Sequence, residues 1–229
     1  MPLARVIEAE LLDQLPGDDA RALRSRADLL RINAVMMQAG IMARAIRAHA
    51  PEALSFLDLG AGDGAFMCRV IRQLGPPAAA ITLVDRQSIV SGQTRDAFRA
   101  AGYEVQQIAA DALDYLDDAP CYDVICINLF LHHLREAQLR RLLAAASQKC
   151  RLLVACEPRR GAWPMLASRM LWMLGCNDVT RHDARVSVRA GFSGAELSAL
   201  WPAAAGWRLS ERPARLFTHL FVAQREACR

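Results

Sequence analysis

Between Phe56 and Phe66 the chain reads FLDLGAGDGAF, an apolar run, then three glycines at every second position, then the start of a helical pattern. No other stretch constrains the fold as much. Leu54, Phe56, Leu57 and Leu59 suit a strand buried on both faces, as a parallel sheet requires, and Asp58 interrupts them near the end. Gly60, Gly62 and Gly64 follow. A residue without a Cβ reaches positive φ cheaply and lets backbone N–H groups approach a ligand. From Ala65 to Leu74, Phe66, Val70, Ile71 and Leu74 recur at helical spacing. Strand, glycine turn and helix N-terminus in that order make a nucleotide-like pocket at the carboxyl edge of a sheet.

Two cofactor classes use such a turn. Read as G-x-G-x-x-A through Gly60, Gly62 and Ala65, it fits a dinucleotide site, with Asp85 about 20 residues on as the ribose ligand. Read as acidic-x-G-x-G-x-G through Asp58, Gly60, Gly62 and Gly64, it resembles motif I of class I S-adenosylmethionine-dependent methyltransferases. The bland alternative is a surface turn that needs three glycines for shape alone. The methyltransferase resemblance spans roughly residues 50 to 225 and implies a cofactor, S-adenosylmethionine. Its glycine turn would pass beside the methionine and ribose, and Asp58 would help organise the amino group.

The 229 residues suit one domain with elaborations, and 53% apolar against 23% charged residues indicates a folded globular protein. The net charge of +4 is almost wholly arginine, with Lys149 the single lysine. Those arginines are scattered and not arranged in the dense stripe that nucleic-acid binding favours, so nucleic acid is not the expected partner. Seven cysteines form no CxxC pair and no Cys/His metal spacing, which points to reduced thiols and a cytoplasmic setting. Nothing in the sequence requires a metal. No signal-peptide pattern opens the chain, and the apolar stretch from Ala162 to Cys176 contains Arg169 and is too short to span a bilayer.

Residues 3–15 and 18–49 read as two helices separated by Pro16-Gly17, with Asp18 or Asp19 capping the second, and residues 1–50 are expected to pack on the sheet or form a helical lid. Residues 51–229 form the cofactor-binding domain. Strand patterns at 80–85, 103–108, 122–127 and 151–156 alternate with helical ones at 92–101 and 138–148, which argues for a parallel α/β sheet. Residues 207–211 and 216–224, joined through Arg212-Pro213-Ala214, read as a terminal hairpin. The expected fold is therefore the Rossmann-like class I methyltransferase type: a seven-stranded sheet, an N-terminal helical lid, a C-terminal antiparallel hairpin and an acceptor-recognition insertion over 158–200.

Several side chains are candidates for chemistry. The resemblance implies that Asp85, ending the second strand, accepts the ribose hydroxyl hydrogens, and that Asp111 meets the adenine amino group; Asp111 also reads as a helix cap. Asn128-Leu-Phe-Leu-His132-His133-Leu134 resembles the post-strand segment of the ubiquinone and menaquinone methyltransferase branch, which implies Asn128 close to the sulfonium. His132 is a candidate for lining the site, whereas His133 reads as structural. Arg159 or Arg160, after Glu157-Pro158, could hold an acidic substrate group or lie in a surface loop. In the insertion, Trp163 and Trp172 with neighbouring methionines offer an apolar acceptor wall. His182 beside Asp183 is the best candidate base, with the carboxylate fixing the imidazole tautomer. A capping Asp183 beside a packed or exposed His182 is the structural alternative.

The implied function is methyl transfer to a small, largely apolar acceptor, most simply O-methylation of an aromatic or polyketide-like hydroxyl. C-methylation of a quinol-type ring is the close alternative. A nicotinamide-dependent oxidoreductase and a non-catalytic cofactor-binding protein remain as alternatives of another class. A homo-oligomer is left open.

Overall fold

The computed structural model describes residues 4–16, 19–75, 79–203 and 206–226. Five strands alternate with helices: β1 (Ser55–Leu59), β2 (Ala79–Asp85), β3 (Tyr103–Ala109), β4 (Tyr122–Asn128) and β5 (Cys150–Pro158). The hairpin of β6 (Trp207–Ala214) and β7 (Thr218–Arg225) completes a sheet of order β3-β2-β1-β4-β5-β7-β6. Neighbours from β3 to β5 pair in parallel, and β7 inserts antiparallel between β5 and β6. A dinucleotide fold would place another parallel strand beside β5. The seven-stranded class I methyltransferase architecture expected from the glycine turn and the terminal hairpin is therefore the one observed.

Side-chain alternation along the central strands divides the core into two. Phe56, Val124, Cys126, Leu152, Val154 and Cys156 point to one face, where they meet Ile41, Met42 and Ile46 of α3 (Gln38–His49), Val70 and Ile71 of α4 (Ala65–Leu74), and Phe98 of α5 (Gly92–Ala100). Leu57, Leu59, Ile125, Ile127 and Leu153 point to the other. There they meet Leu113 and Leu116 of α6 (Ala112–Asp118), Leu139, Leu142 and Leu143 of α7 (Glu136–Lys149), and Leu197 of α10 (Glu196–Leu200). Strands covered on both faces need the near-continuous apolar runs that the sequence supplies.

The N-terminal elements depart from the sequence reading. Only α1 (Leu11–Gln14) is helical within 4–16, and the expected long helix is two, α2 (Ala20–Met36) and α3, separated at Met37 with φ 54°. No glycine or proline marks this break. Two different docking surfaces impose it: α3 lies on the sheet, while α2 turns to meet α9 (Asp178–Ala190). Buried Asp28 of α2 accepts from Asn177 N (2.8 Å) and Thr180 Oγ1 (3.1 Å) at the start of α9. The proposed cap Asp18 and Gly17 lie outside the described residues, but Asp19 caps as expected, Oδ1 accepting from Arg21 N. Leu54 lies outside β1 and is 53% exposed. The first hairpin strand is longer than read: Arg212, Pro213 and Ala214 belong to β6, an edge strand where a proline is tolerated.

The insertion after β5 is helical, comprising α8 (Ala162–Arg169), a 3₁₀ turn at Leu171–Leu174, α9 and α10. Ala195 precedes α10, and Glu211 from β6 caps it through Leu197 N (3.0 Å) and Ser198 N (2.7 Å). Five cysteines are buried and Cys121 is exposed; Cys228 lies outside the described residues. No described helix is long and apolar enough to cross a membrane.

Candidate active site

In the order β3-β2-β1-β4 the connections reverse direction between β1 and β4, and a ligand crevice opens at the carboxyl ends of strands at such a point. The candidate cofactor residues gather there. Gly60, Gly62 and Gly64 have φ of +72°, +56° and +74°. A Cβ on Gly60 would lie 2.6 Å from the Phe130 ring, whereas one on Gly62 would meet nothing within 4 Å, leaving its backbone open to a ligand. Gly62 N donates to Asp85 Oδ2 (2.9 Å), and Asp85 Oδ1 accepts from Gln87 N (2.9 Å), so the carboxylate at the end of β2 is clamped over the glycine turn.

Asp58 is the most perturbed group at this edge. Its side chain is buried among β2 and β4 residues, only 2% exposed, and burial followed by repulsion from Asp85 pushes its pKa up to about 8. A carboxyl kept neutral chiefly by burial, with a second carboxylate nearby, is poised to ionise when a cation arrives. Asn128, ending β4, has a buried Oδ1 with no hydrogen-bond partner among the described residues. Such an orphaned acceptor costs stability unless a ligand satisfies it. Asp111 is the helix cap read from the sequence, Oδ1 accepting from Leu113 N (2.8 Å), while Oδ2 pairs with Arg86 Nε (3.0 Å), which holds its carboxyl below the usual range.

His132 behaves differently from a base. It is buried, and although burial alone would lower its pKa, the facing carboxylates of Glu10 and Glu157 outweigh this and raise it to about 9. An imidazole held in its protonated form between two carboxylates is occupied by them and ill suited to accept a further proton. Its partner Glu157, at the end of β5, is fully buried. Glu157 also accepts from Phe130 N (3.0 Å) and Leu131 N (2.9 Å), so it moulds the loop after β4.

The His182/Asp183 pair forms as expected, with Nδ1 2.9 Å from Asp183 Oδ1. The structural alternative holds too: Asp183 is buried and accepts from Leu11 N (2.8 Å) and Leu12 N (2.9 Å), capping α1. His182 lines a cleft of about 620 Å³ with Val6, Met165, Arg169, Arg185 and Val186. Trp163 and Trp172 line no described cleft; they are 75% and 62% exposed, on a face shared with Met170, Met173 and Leu174. Arg160 is committed internally, donating to Gly191 O (2.5 Å) and Ser193 Oγ (2.9 Å) and pairing with Glu196. Arg159 joins Phe217 and Phe192 through its backbone, leaving its guanidinium with no described hydrogen bond.

Residues 56–151 match the family model of a methyltransferase domain. No curated protein matches. Among solved structures, the plantazolicin methyltransferase BpumL in complex with SAH aligns at TM-score 0.66 and 14% identity, over 94% of both chains. An O-methyltransferase family protein from Burkholderia thailandensis aligns at 0.61 and 18% identity, over 93% of this chain and 62% of its own. The pyocyanin biosynthetic protein PhzM aligns at 0.61 and 21%, over 93% and 60%. The chain thus spans about three fifths of the latter two. A match to a methyltransferase domain points to S-adenosylmethionine as cofactor, and the open glycine backbone, the buried Asp58 and the orphaned Asn128 fit it.

Proposed function

We propose that this chain transfers a methyl group from S-adenosylmethionine to a hydroxyl of a small, largely apolar acceptor, of the aromatic or polyketide-like kind. The observation that carries the reading is the gathering of three positive-φ glycines, Asp85 and the unsatisfied Asn128 Oδ1 at one sheet edge. When bound, the cofactor supplies a methyl carbon already activated by its sulfonium. Gly62 and Asp85 would hold its ribose, Asp58 and Asn128 its charged end, and Asp111 its adenine. Because the electrophile comes activated, the chain's own work is alignment, exclusion of water and removal of the acceptor proton.

His182 takes that proton, with Asp183 fixing the tautomer through Nδ1 and leaving Nε2 as the accepting atom. Val6, Met165 and Val186 give the adjoining cleft apolar walls, and Arg169 and Arg185 rim it with positive charge. Trp163, Trp172 and Arg159 border the acceptor's approach in this reading. Residues 1–50 act as a lid only in part, since α3 is packed into the core and only the segment before it borders the cleft. The setting is the cytoplasm, and nucleic acid is not the acceptor.

Oxygen is favoured over carbon because structures similar in fold include an O-methyltransferase family protein and the mitomycin 7-O-methyltransferase MmcR. Kinship with the quinone-pathway branch rests on the His132-His133 segment and Glu157-Pro158, and supports ring C-methylation as the second reading. Transfer of an isotope-labelled methyl group to a panel of phenols and quinols, with the product bond assigned by NMR, tests this. A methyl ether whose formation His182→Ala slows at unchanged cofactor affinity is the expected result. A C-methyl product, or turnover indifferent to His182→Ala, would overturn the O-methylation mechanism.

A further inference from the structure

Glu10, His132 and His133 stand together, each with a ligand atom within 4.8 Å of the others. They come from two places far apart in sequence. His132 and His133 belong to the 3₁₀ turn Leu131–His133 after β4, and Glu10 belongs to the extended N-terminal segment. That segment is fixed without their help: Val6 N donates to Arg189 O (3.2 Å), Leu11 N and Leu12 N donate to Asp183, and Arg5 Nη2 donates to Leu134 O (2.9 Å). The three donors are therefore preorganised by neighbouring bonds, as a metal site needs.

We propose that Glu10, His132 and His133 bind a divalent first-row transition-metal ion. Two histidines and one carboxylate form a recurrent donor set for such ions, and zinc catalytic sites of this composition keep a further position open. Glu10 Oε1 and His132 Nε2 lie 3.7 Å apart, too far for a hydrogen bond. Bonds of about 2.0–2.1 Å to a tetrahedral ion would set two ligand atoms about 3.3 Å apart, so a shift of a few tenths of an ångström seats both. His132 Nδ1 is 2.8 Å from Glu157 Oε2, the carboxylate–histidine arrangement that fixes the tautomer and presents Nε2 to a metal. Ser187 Oγ donates to Glu10 Oε1 and orients the second ligand in the same way. Glu10 and Glu157 bring two negative charges to one buried imidazole, and a dication offsets both. The exposed His133 marks the open side, where water or an oxygen ligand completes the coordination.

The site was not readable from sequence, because Glu10 is separated from the His-His pair by more than a hundred residues of chain. The proposal is independent of the methyl-transfer reading, and its test uses neither cofactor nor acceptor. The full chain is stripped with chelator and titrated with Co²⁺ by calorimetry and visible absorption, alongside Glu10→Gln, His133→Ala and Cys121→Ser. His133 and Cys121 are exposed and Glu10→Gln is nearly isosteric, so all three variants should fold, which circular dichroism checks. The expected result is one equivalent of Co²⁺ with ligand-field bands, weakened at least roughly tenfold in Glu10→Gln and His133→Ala and unchanged in Cys121→Ser. No stoichiometric binding to the wild type would overturn the proposal, leaving a proton as the occupant. So would binding that ignores Glu10→Gln and His133→Ala, or that Cys121→Ser abolishes.

Discussion

Asp58→Asn separates what this site costs the fold from what it gives the ligand. A free aspartic acid ionises near its ordinary value, whereas buried Asp58 keeps its proton up to about 8, burial acting first and Asp85 second. Between those values the native chain binds more protons than the unfolded one. Native stability from this group is therefore highest below the ordinary value and falls as pH rises, until the folded carboxyl itself ionises near pH 8. The slope is about 1.4 kcal/mol per pH unit, or ~2.7 kcal/mol between about pH 5 and pH 7. Asparagine has nearly the same shape and no such linkage. Urea unfolding of the cofactor-free chain should show the Asp58→Asn protein gaining that amount on the wild type as pH rises over this range. Cofactor binding should move oppositely. If the ammonium end of S-adenosylmethionine needs ionised Asp58, wild-type affinity rises about tenfold from about pH 6 to pH 7, and the dependence vanishes in Asp58→Asn. Parallel stability curves, or a pH slope of binding that survives the substitution, would refute the assignment of a neutral Asp58.

Other consequences are local. Gly60→Ala drives a Cβ into Phe130 at 2.6 Å and also strains a positive φ, whereas Gly62→Ala meets only the strain. Thermal unfolding should show Gly62→Ala losing about 1–2 kcal/mol and Gly60→Ala more, and both should fail to bind S-adenosylhomocysteine in calorimetry. Glu157→Gln leaves His132 without its buried carboxylate partner and weakens the loop after β4, and should cost about 3–5 kcal/mol in urea unfolding. Trp163→Ser removes a side chain that is 75% exposed, so unfolding should change by less than about 0.5 kcal/mol, while KM for the acceptor should rise.

What could be read from the sequence is what local physics controls. The glycine turn needed positive φ, β4 and β5 needed burial on both faces, and each left a pattern along a few consecutive residues. The places that escaped depend on partners distant in the chain. The α2–α3 break at Met37 carries no helix breaker, and is set by Asp28 docking onto Asn177 and Thr180. His132 read as a residue that could line the site, but the two carboxylates that surround it come from residues 10 and 157, far apart in the chain. Arg160 looked like a substrate ligand and proved to be the internal partner of Glu196. Asp183 was legible as the neighbour of His182 but not as the cap of a helix more than a hundred and seventy residues earlier. A pair within one helix turn can be seen in sequence, whereas competition for its carboxylate cannot.

The most direct test of the cofactor assignment is calorimetric titration of the purified chain with S-adenosylhomocysteine, beside NAD(H), for wild type and Asp85→Ala. Asp85 holds the glycine turn through Gly62 N and is the proposed ribose ligand, so its loss would remove both supports at once. Micromolar binding of S-adenosylhomocysteine to the wild type, strongly weakened by Asp85→Ala, with no comparable affinity for NAD(H), is the predicted result. Absence of binding, or preference for NAD(H), would contradict the account of the site.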